Sequence, residues 1–165
     1  VEDPVDRLLQ QWAQERPELD CSRLSVVVRV LLLAKVFRQS AEKALAPLEL
    51  KLWEYDVLSA LRRQGPPFQL PATELARASM LTSGAMTNRI DRLEARGFVV
   101  RIPDAADRRG VNVRLTAAGQ RLTDDAIEAR LTAAHDQLEM LSAQERRAVS
   151  DGLRKIFAAV GSSTV

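Results

Sequence analysis

Leu81-Thr82-Ser83-Gly84-Ala85-Met86-Thr87-Asn88-Arg89-Ile90-Asp91-Arg92-Leu93-Glu94-Ala95-Arg96-Gly97 reads as one helix with a start, a stop and two unlike faces. Thr82 or Ser83 caps its first amides, and Gly97 stands where a helix ending in the left-handed region wants glycine. At helical spacing Met86, Ile90 and Leu93 share the side that packs inward. Asn88 and Arg92 point nearly the opposite way, with Ala85 and Ala95 beside them and Arg89 and Arg96 at the margins. Small residues and forked donors on one face suit a helix laid in a DNA major groove, where Arg forks onto guanine and Asn onto adenine. A solvated helix of mixed charge carries the same pattern, so the residues that follow have to decide.

After Gly97 the period changes from helical to strand. Phe98-Val99-Val100-Arg101-Ile102 is a short β-rich run that Pro103-Asp104 stops. Ala105-Ala106-Asp107-Arg108-Arg109-Gly110 is a polar tip, and Val111-Asn112-Val113-Arg114-Leu115 alternates apolar and polar. A helix-turn-helix followed at once by such a hairpin is a winged helix, whose loop reaches the minor groove or the neighbouring phosphates through Arg108 and Arg109.

Working outward, Ala72 to Ser79 forms the first helix of the helix-turn-helix, opened by Pro71, and Leu70 offers a third short strand to the wing. Ahead of these lie a helix from Leu52 to Arg63 and a long one from Ser22 to Ala46, which Pro47 ends. The long helix is apolar nearly all round at its start and is expected to be deeply buried. Asp3-Pro4 starts a first helix that runs to Gln14 and carries Val5, Leu8, Leu9 and Trp12. Beyond the wing, Thr116 caps a helix from Ala117 to near His135, and Ser142-Ala143-Gln144-Glu145 is a capping box for a last helix to Val160. The expected fold is mainly α with a small β-hairpin wing. It divides into N-terminal helices (1–48), a winged helix-turn-helix (49–116) and C-terminal helices (117–165). A winged helix needs only the middle of the chain, so the amphipathic end helices are expected to form a dimer interface rather than thicken a monomeric core.

Composition narrows the function classes. The 165 residues are 46% hydrophobic, which excludes disorder, and no apolar run is long enough to span a membrane. No signal-peptide pattern is visible and a cytoplasmic location is expected. Cys21 is the single cysteine and His135 the single histidine, so no internal disulfide, zinc ligand set or Cys-His nucleophile is expected. There is no Gly-rich phosphate or dinucleotide loop. No catalytic residue, metal or cofactor is therefore expected. Net charge is only +2, but residues 62–121 hold 11 Arg and Lys against 5 Asp and Glu, while the remainder holds 13 against 17. The basic surplus falls on the helix-turn-helix and wing, where phosphates would lie.

Trp53-Glu54-Tyr55-Asp56-Val57-Leu58, Ala72-Thr73-Glu74-Leu75-Ala76, Ser83-Gly84-Ala85-Met86-Thr87-Asn88-Arg89 and the block Asp104 to Thr116 together resemble the MarR family of bacterial transcription regulators. The resemblance covers nearly the whole chain in order. It implies a dimer that usually represses genes and releases double-stranded DNA when a small molecule binds or a cysteine is oxidised. The residues expected to meet DNA are Ser83, Thr87, Asn88, Arg89 and Arg92 on the helix and Arg108 and Arg109 in the wing. The added first helix is similar to that of the urate-responsive branch, in which a Trp covers a pocket completed by an Asp and an Arg on one helix and an Arg at the start of the wing. The matching positions are Trp12, Asp56, Arg63 and Arg101, and the implied effector is urate or a related purine.

The spacing of Asp56 and Arg63 is informative without the family. Seven residues apart, they share one helix face about 10.5 Å apart along the axis, able to grip two ends of a small planar molecule. Spacing alone fits two separate surface ion pairs equally well. Alternatives to a urate-released repressor are a regulator with another ligand, a redox switch at Cys21 near Tyr55, and a winged helix that contacts another protein instead of DNA.

Overall fold

The computed structural model describes residues 2–79, 81–103 and 110–160. The chain divides into two compact units, Val1–Lys43 and Ala44–Val165. The break comes ahead of the expected one after residue 48. The C-terminal helices share a unit with the winged helix, because α6 (Ala117–Leu138) packs directly on α3 (Leu52–Arg62).

In the first unit, α1 spans Pro4–Glu15. Its start is a reciprocal cap: Asp3 Oδ1 accepts from the amides of Val5 (2.7 Å) and Asp6 (3.0 Å), while Asp6 Oδ2 accepts from the Asp3 amide at 3.0 Å. Arg29, on α2 (Leu24–Leu45), donates to both carboxylates at 2.8 and 2.6 Å and so ties the two helices together. That guanidinium holds the Asp3 carboxyl at about 2, below its ordinary 3.8, against an opposing effect of burial, with the Asp6 and Val5 amides helping. Asp6 is also lowered, chiefly by the Asp3 amide and then by Arg29.

The expectation of a deeply buried α2 fails. Val26, Val27, Val30, Leu31, Leu32, Leu33, Val36 and Phe37 are exposed, Leu31 at 66%. An apolar pattern reports a need for burial, not what supplies it.

In the second unit a 3₁₀ turn, Ala46–Leu48, leads into α3. Then come β1 (Gln69–Pro71), α4 (Ala72–Ala78), α5 (Ser83–Ala95), β2 (Val99–Pro103), β3 (Val111–Leu115), α6 and α7 (Ala143–Val160). The strands form an antiparallel sheet in the order β1-β3-β2, with Val113 opposite both Leu70 and Arg101. The third strand expected at Leu70 is therefore present. The core gathers Leu45, Val57, Leu58 and Leu61 with Leu75, Met86, Ile90, Leu93, Val99, Val113 and Ala126, which locks α5 between α3, α4 and the sheet. The α5 termini follow the sequence: Thr82 Oγ1 accepts from the Ala85 amide at 3.3 Å. At the other end the Gly97 amide reaches Glu94 O (2.8 Å), the Phe98 amide reaches Leu93 O (3.0 Å), and Gly97 has φ 75°. Thr116 caps α6 through the Gly119 amide at 3.0 Å, and its hydroxyl donates to Gly97 O at 2.7 Å, so the end of α5 and the start of α6 meet at one side chain.

Candidate nucleic-acid interface and effector cavity

With Met86, Ile90 and Leu93 buried, α5 has only one orientation available, and it leaves Ser83, Thr87, Asn88 and Arg92 exposed. Two ion-pair systems fix this helix. At its end Arg96 donates to the carboxylate of Glu54 at 2.8 Å and to the Glu49 carbonyl at 3.1 Å, while the other Glu54 oxygen accepts from the Lys51 amide at 2.8 Å. Glu54 is only 4% exposed, so the pair is a clamp between the start of α3 and the end of α5. On the other side the Arg101 amide donates to Glu94 at 3.0 Å and its guanidinium bridges Glu94 and Asp91. Burial lowers the Arg101 pKa, but its hydrogen bonds to Asp91 and Glu94 outweigh this and leave it raised. Arg101 thus joins wing to recognition helix as a fixed cation.

Arg101 also lines a groove of about 670 Å³ with Thr73, Arg77, Ser83, Thr87 and Gly110. Here the helix-turn-helix and the base of the wing present hydroxyls and guanidinium groups together. Arg108 and Arg109 lie outside the described residues.

A second cavity, of about 350 Å³, opens between α3 and the helix-turn-helix. Asp56 and Arg63 both line it, together with Tyr55, Ser59, Ser79 and Arg89. Arg63 Nη1 donates to Ser59 Oγ at 3.2 Å, and that hydroxyl donates to the Asp56 carbonyl at 3.2 Å. Two of the four expected effector residues therefore share one cavity. Arg101 lines the other groove, and Trp12 belongs to the first unit, where it is 45% exposed.

The sequence reading misses Tyr55, Ser59, Ser79 and Arg89 as members of this cavity. Ser59 falls one turn from Asp56 and one turn from Arg63, a signal that helical spacing already contains. Arg89, expected at DNA, is half-buried, and its guanidinium carbon lies 5.4 Å from the centroid of the Trp53 ring. Cys21 is a free, half-buried thiol. Among the described residues no cluster of His, Cys, Asp and Glu could hold a metal ion, and no helix is long and apolar enough to cross a membrane.

Comparison with known proteins agrees with this architecture. The profile of the MarR family matches residues 48–110, from the turn before α3 to the wing. The HTH-type transcriptional regulator PecS of Dickeya dadantii (strain 3937) is 32% identical over 142 residues, covering 86% of this chain and 86% of that protein. Among solved structures, AbsC, a MarR family transcriptional regulator from Streptomyces coelicolor, matches with a TM-score of 0.78 at 20% identity, over 87% of this chain and 97% of that one. A MarR variant from E. coli complexed with operator DNA matches with a TM-score of 0.70 at 23% identity, over 88% and 96% of the two chains. The two structures share the fold, and PecS shares enough sequence over enough length to establish kinship. The chain belongs to the MarR family and is a transcriptional regulator, not an enzyme.

Proposed function

We propose that this regulator binds a pseudo-palindromic operator as a homodimer, represses from it, and leaves it when a planar anion such as urate fills the α3 cavity. The observation that carries the DNA half is the strip Ser83, Thr87, Asn88 and Arg92, exposed on a helix held rigidly from both sides. Rigid placement matters because base readout requires forked donors at fixed distances from base edges. That a MarR variant was crystallised with operator DNA is in keeping with the reading.

Support for the effector half comes from the pairing of Asp56 with Arg63 around a cavity of about 350 Å³, within the size range of small-molecule sites. Occupancy there acts on DNA binding by linkage: a ligand lowers operator affinity to the extent that it prefers the arrangement unable to bind DNA.

The test is titration of the protein into the duplex flanking its own gene at several salt concentrations, with and without urate and related purines. Specific, steeply salt-dependent binding that urate reverses is the expected result. Binding to protein partners without salt-dependent DNA binding overturns the reading. Specific DNA binding that no purine reverses removes only the effector half.

A further inference from the structure

We infer that Arg96 is a positioning residue for base readout: it meets no base itself, and it sets the tilt of α5 by tying the end of that helix to Glu54, Glu49 and Phe98. The inference rests on the DNA reading above and adds a residue on which operator discrimination depends.

Spacing alone puts Arg96 with the DNA-facing strip, since it lies one turn beyond Arg92 and about 40° round the helix from it. The fold uses it otherwise. Its Nη1 donates to Glu54 Oε1 at 2.8 Å, and its Nη2 donates to the Glu49 carbonyl at 3.1 Å. The guanidinium carbon stands 4.8 Å from the centroid of the Phe98 ring. Each partner belongs to a different part of the unit. Glu54 is in the first turn of α3 and is itself fixed, because its second oxygen accepts from the Lys51 amide at 2.8 Å. Glu49 closes the 3₁₀ turn ahead of α3. Phe98 stands between α5 and β2, its carbonyl accepting from the Thr116 amide at 3.0 Å. With the Glu54 side chain only 5% exposed, its bond to Arg96 is shielded from competing ions on that side.

The consequence for recognition is geometric. Met86, Ile90 and Leu93 fix which side of α5 faces inward, but apolar contact has no preferred direction and tolerates a small rocking of the helix. Hydrogen bonds do have a direction. A rock of about 5° about the Arg96 end moves Asn88, about 12 Å away along the axis, by about 1 Å. Forked donors lose their base-edge bonds over such a distance, whereas attraction to phosphates barely changes. Arg96 therefore acts on the preference among sequences and little on the affinity common to all of them.

The experiment compares binding to the duplex flanking the protein's own gene with binding to a random-sequence duplex of equal length, at several salt concentrations. It uses the full chain as wild type, Arg96→Met, Arg96→Lys and Glu54→Gln, each held well below its melting midpoint. Arg96→Met removes a positive charge and Glu54→Gln a negative one, so a purely electrostatic role would move them in opposite directions. As partners in one tie, both should lower the ratio of specific to random affinity by about fivefold or more, with the salt slope on random duplex changed by less than about 0.5. Arg96→Lys keeps the charge and loses the fork, and should fall between Arg96→Met and wild type. Wild-type discrimination in Arg96→Met overturns the inference. So does an equal loss on both duplexes with a slope flatter by about 1, which marks a phosphate contact. Loss of discrimination in Arg96→Met but not in Glu54→Gln also overturns it, since Arg96 would then meet a base directly. A wild type that binds neither duplex, or both alike, sinks the DNA reading and this inference together.

Discussion

Glu54 shows how much one side chain holds in place. Nearly fully buried, it accepts from the Lys51 amide at the start of α3 and from Arg96 at the end of α5. Glu54→Ala should lower stability by about 1–3 kcal/mol, since it removes a charge-assisted hydrogen bond from Arg96 and the acceptor of the Lys51 amide together. Glu54→Gln should cost less, because the amide oxygen still caps α3. Denaturant unfolding of both variants checks this, and equal losses would show that the clamp's charge is irrelevant. Gly119 is a second such position. A Cβ there would lie 2.0 Å from the Phe98 carbonyl oxygen, so Gly119→Ala must push α6 off the β2 entrance. The expected loss is about 1–3 kcal/mol, read from the same unfolding curves. Neither role was legible in the sequence. Glu54 and Arg96 are 42 residues apart, and Gly119 reads as an ordinary helical glycine until Phe98 is brought against it. Arg89 is a similar case: its residue type fits DNA, and only the fold sets its guanidinium carbon 5.4 Å from the Trp53 ring centroid.

At the scale of elements, legibility follows how local the cause is. The ends of α5 could be read because their causes, Thr82 and Gly97, lie within one turn of the helix they end. The hairpin could be read because alternation and Pro103 lie within its own strands. The fate of α2 could not, because the surface that covers an apolar helix is not written in that helix. Within the first unit the tie between α1 and α2 makes a pH prediction. The Asp3 carboxyl is depressed to about 2 from an ordinary 3.8, so the folded state binds its proton less readily than the unfolded one. Its contribution is therefore fully present above the unfolded value and is lost as pH falls through about 2. Carboxyl NMR titration should find Asp3 near that value in the wild type and close to 3.8 in Arg29→Ala. An unmoved Asp3 in the variant would mean that the backbone amides, not Arg29, set the shift. On α5, Arg92→Ala should cost about 1–3 kcal/mol of operator affinity and relax preference at one base position. A loss spread uniformly over all sequences would instead make Arg92 a phosphate contact.

For the whole molecule the governing fact is apolar surface that the single chain leaves uncovered. No residue of α7 is buried, and Leu153, Ile156, Phe157 and Val160 stand exposed on it, Phe157 at 75%. Leu131, Leu138 and Met140, on and just after α6, add to them, as do the apolar residues of α2. On the proposed reading this exposed apolar surface is the interface, and the partner that completes a two-fold operator is a second copy. Two copies place their α5 helices on half-sites about 34–36 Å apart, one turn of the duplex. Doubling the contacts is also what raises affinity from that of a half-site to that of an operator. The wild type should therefore sediment as a dimer at micromolar concentration and protect two half-sites in a footprint. A paired change on α7, Ile156→Glu with Phe157→Glu, puts four carboxylates into the proposed two-fold interface at two positions that are exposed in the single chain. It should give a monomer that keeps its helical content and loses operator affinity by orders of magnitude, with the residual binding confined to one half-site. If that variant still sedimented as a dimer, α7 would be a solvated face and the interface would have to be sought on α2. If the wild type itself were monomeric at these concentrations, the two-fold operator would go with it.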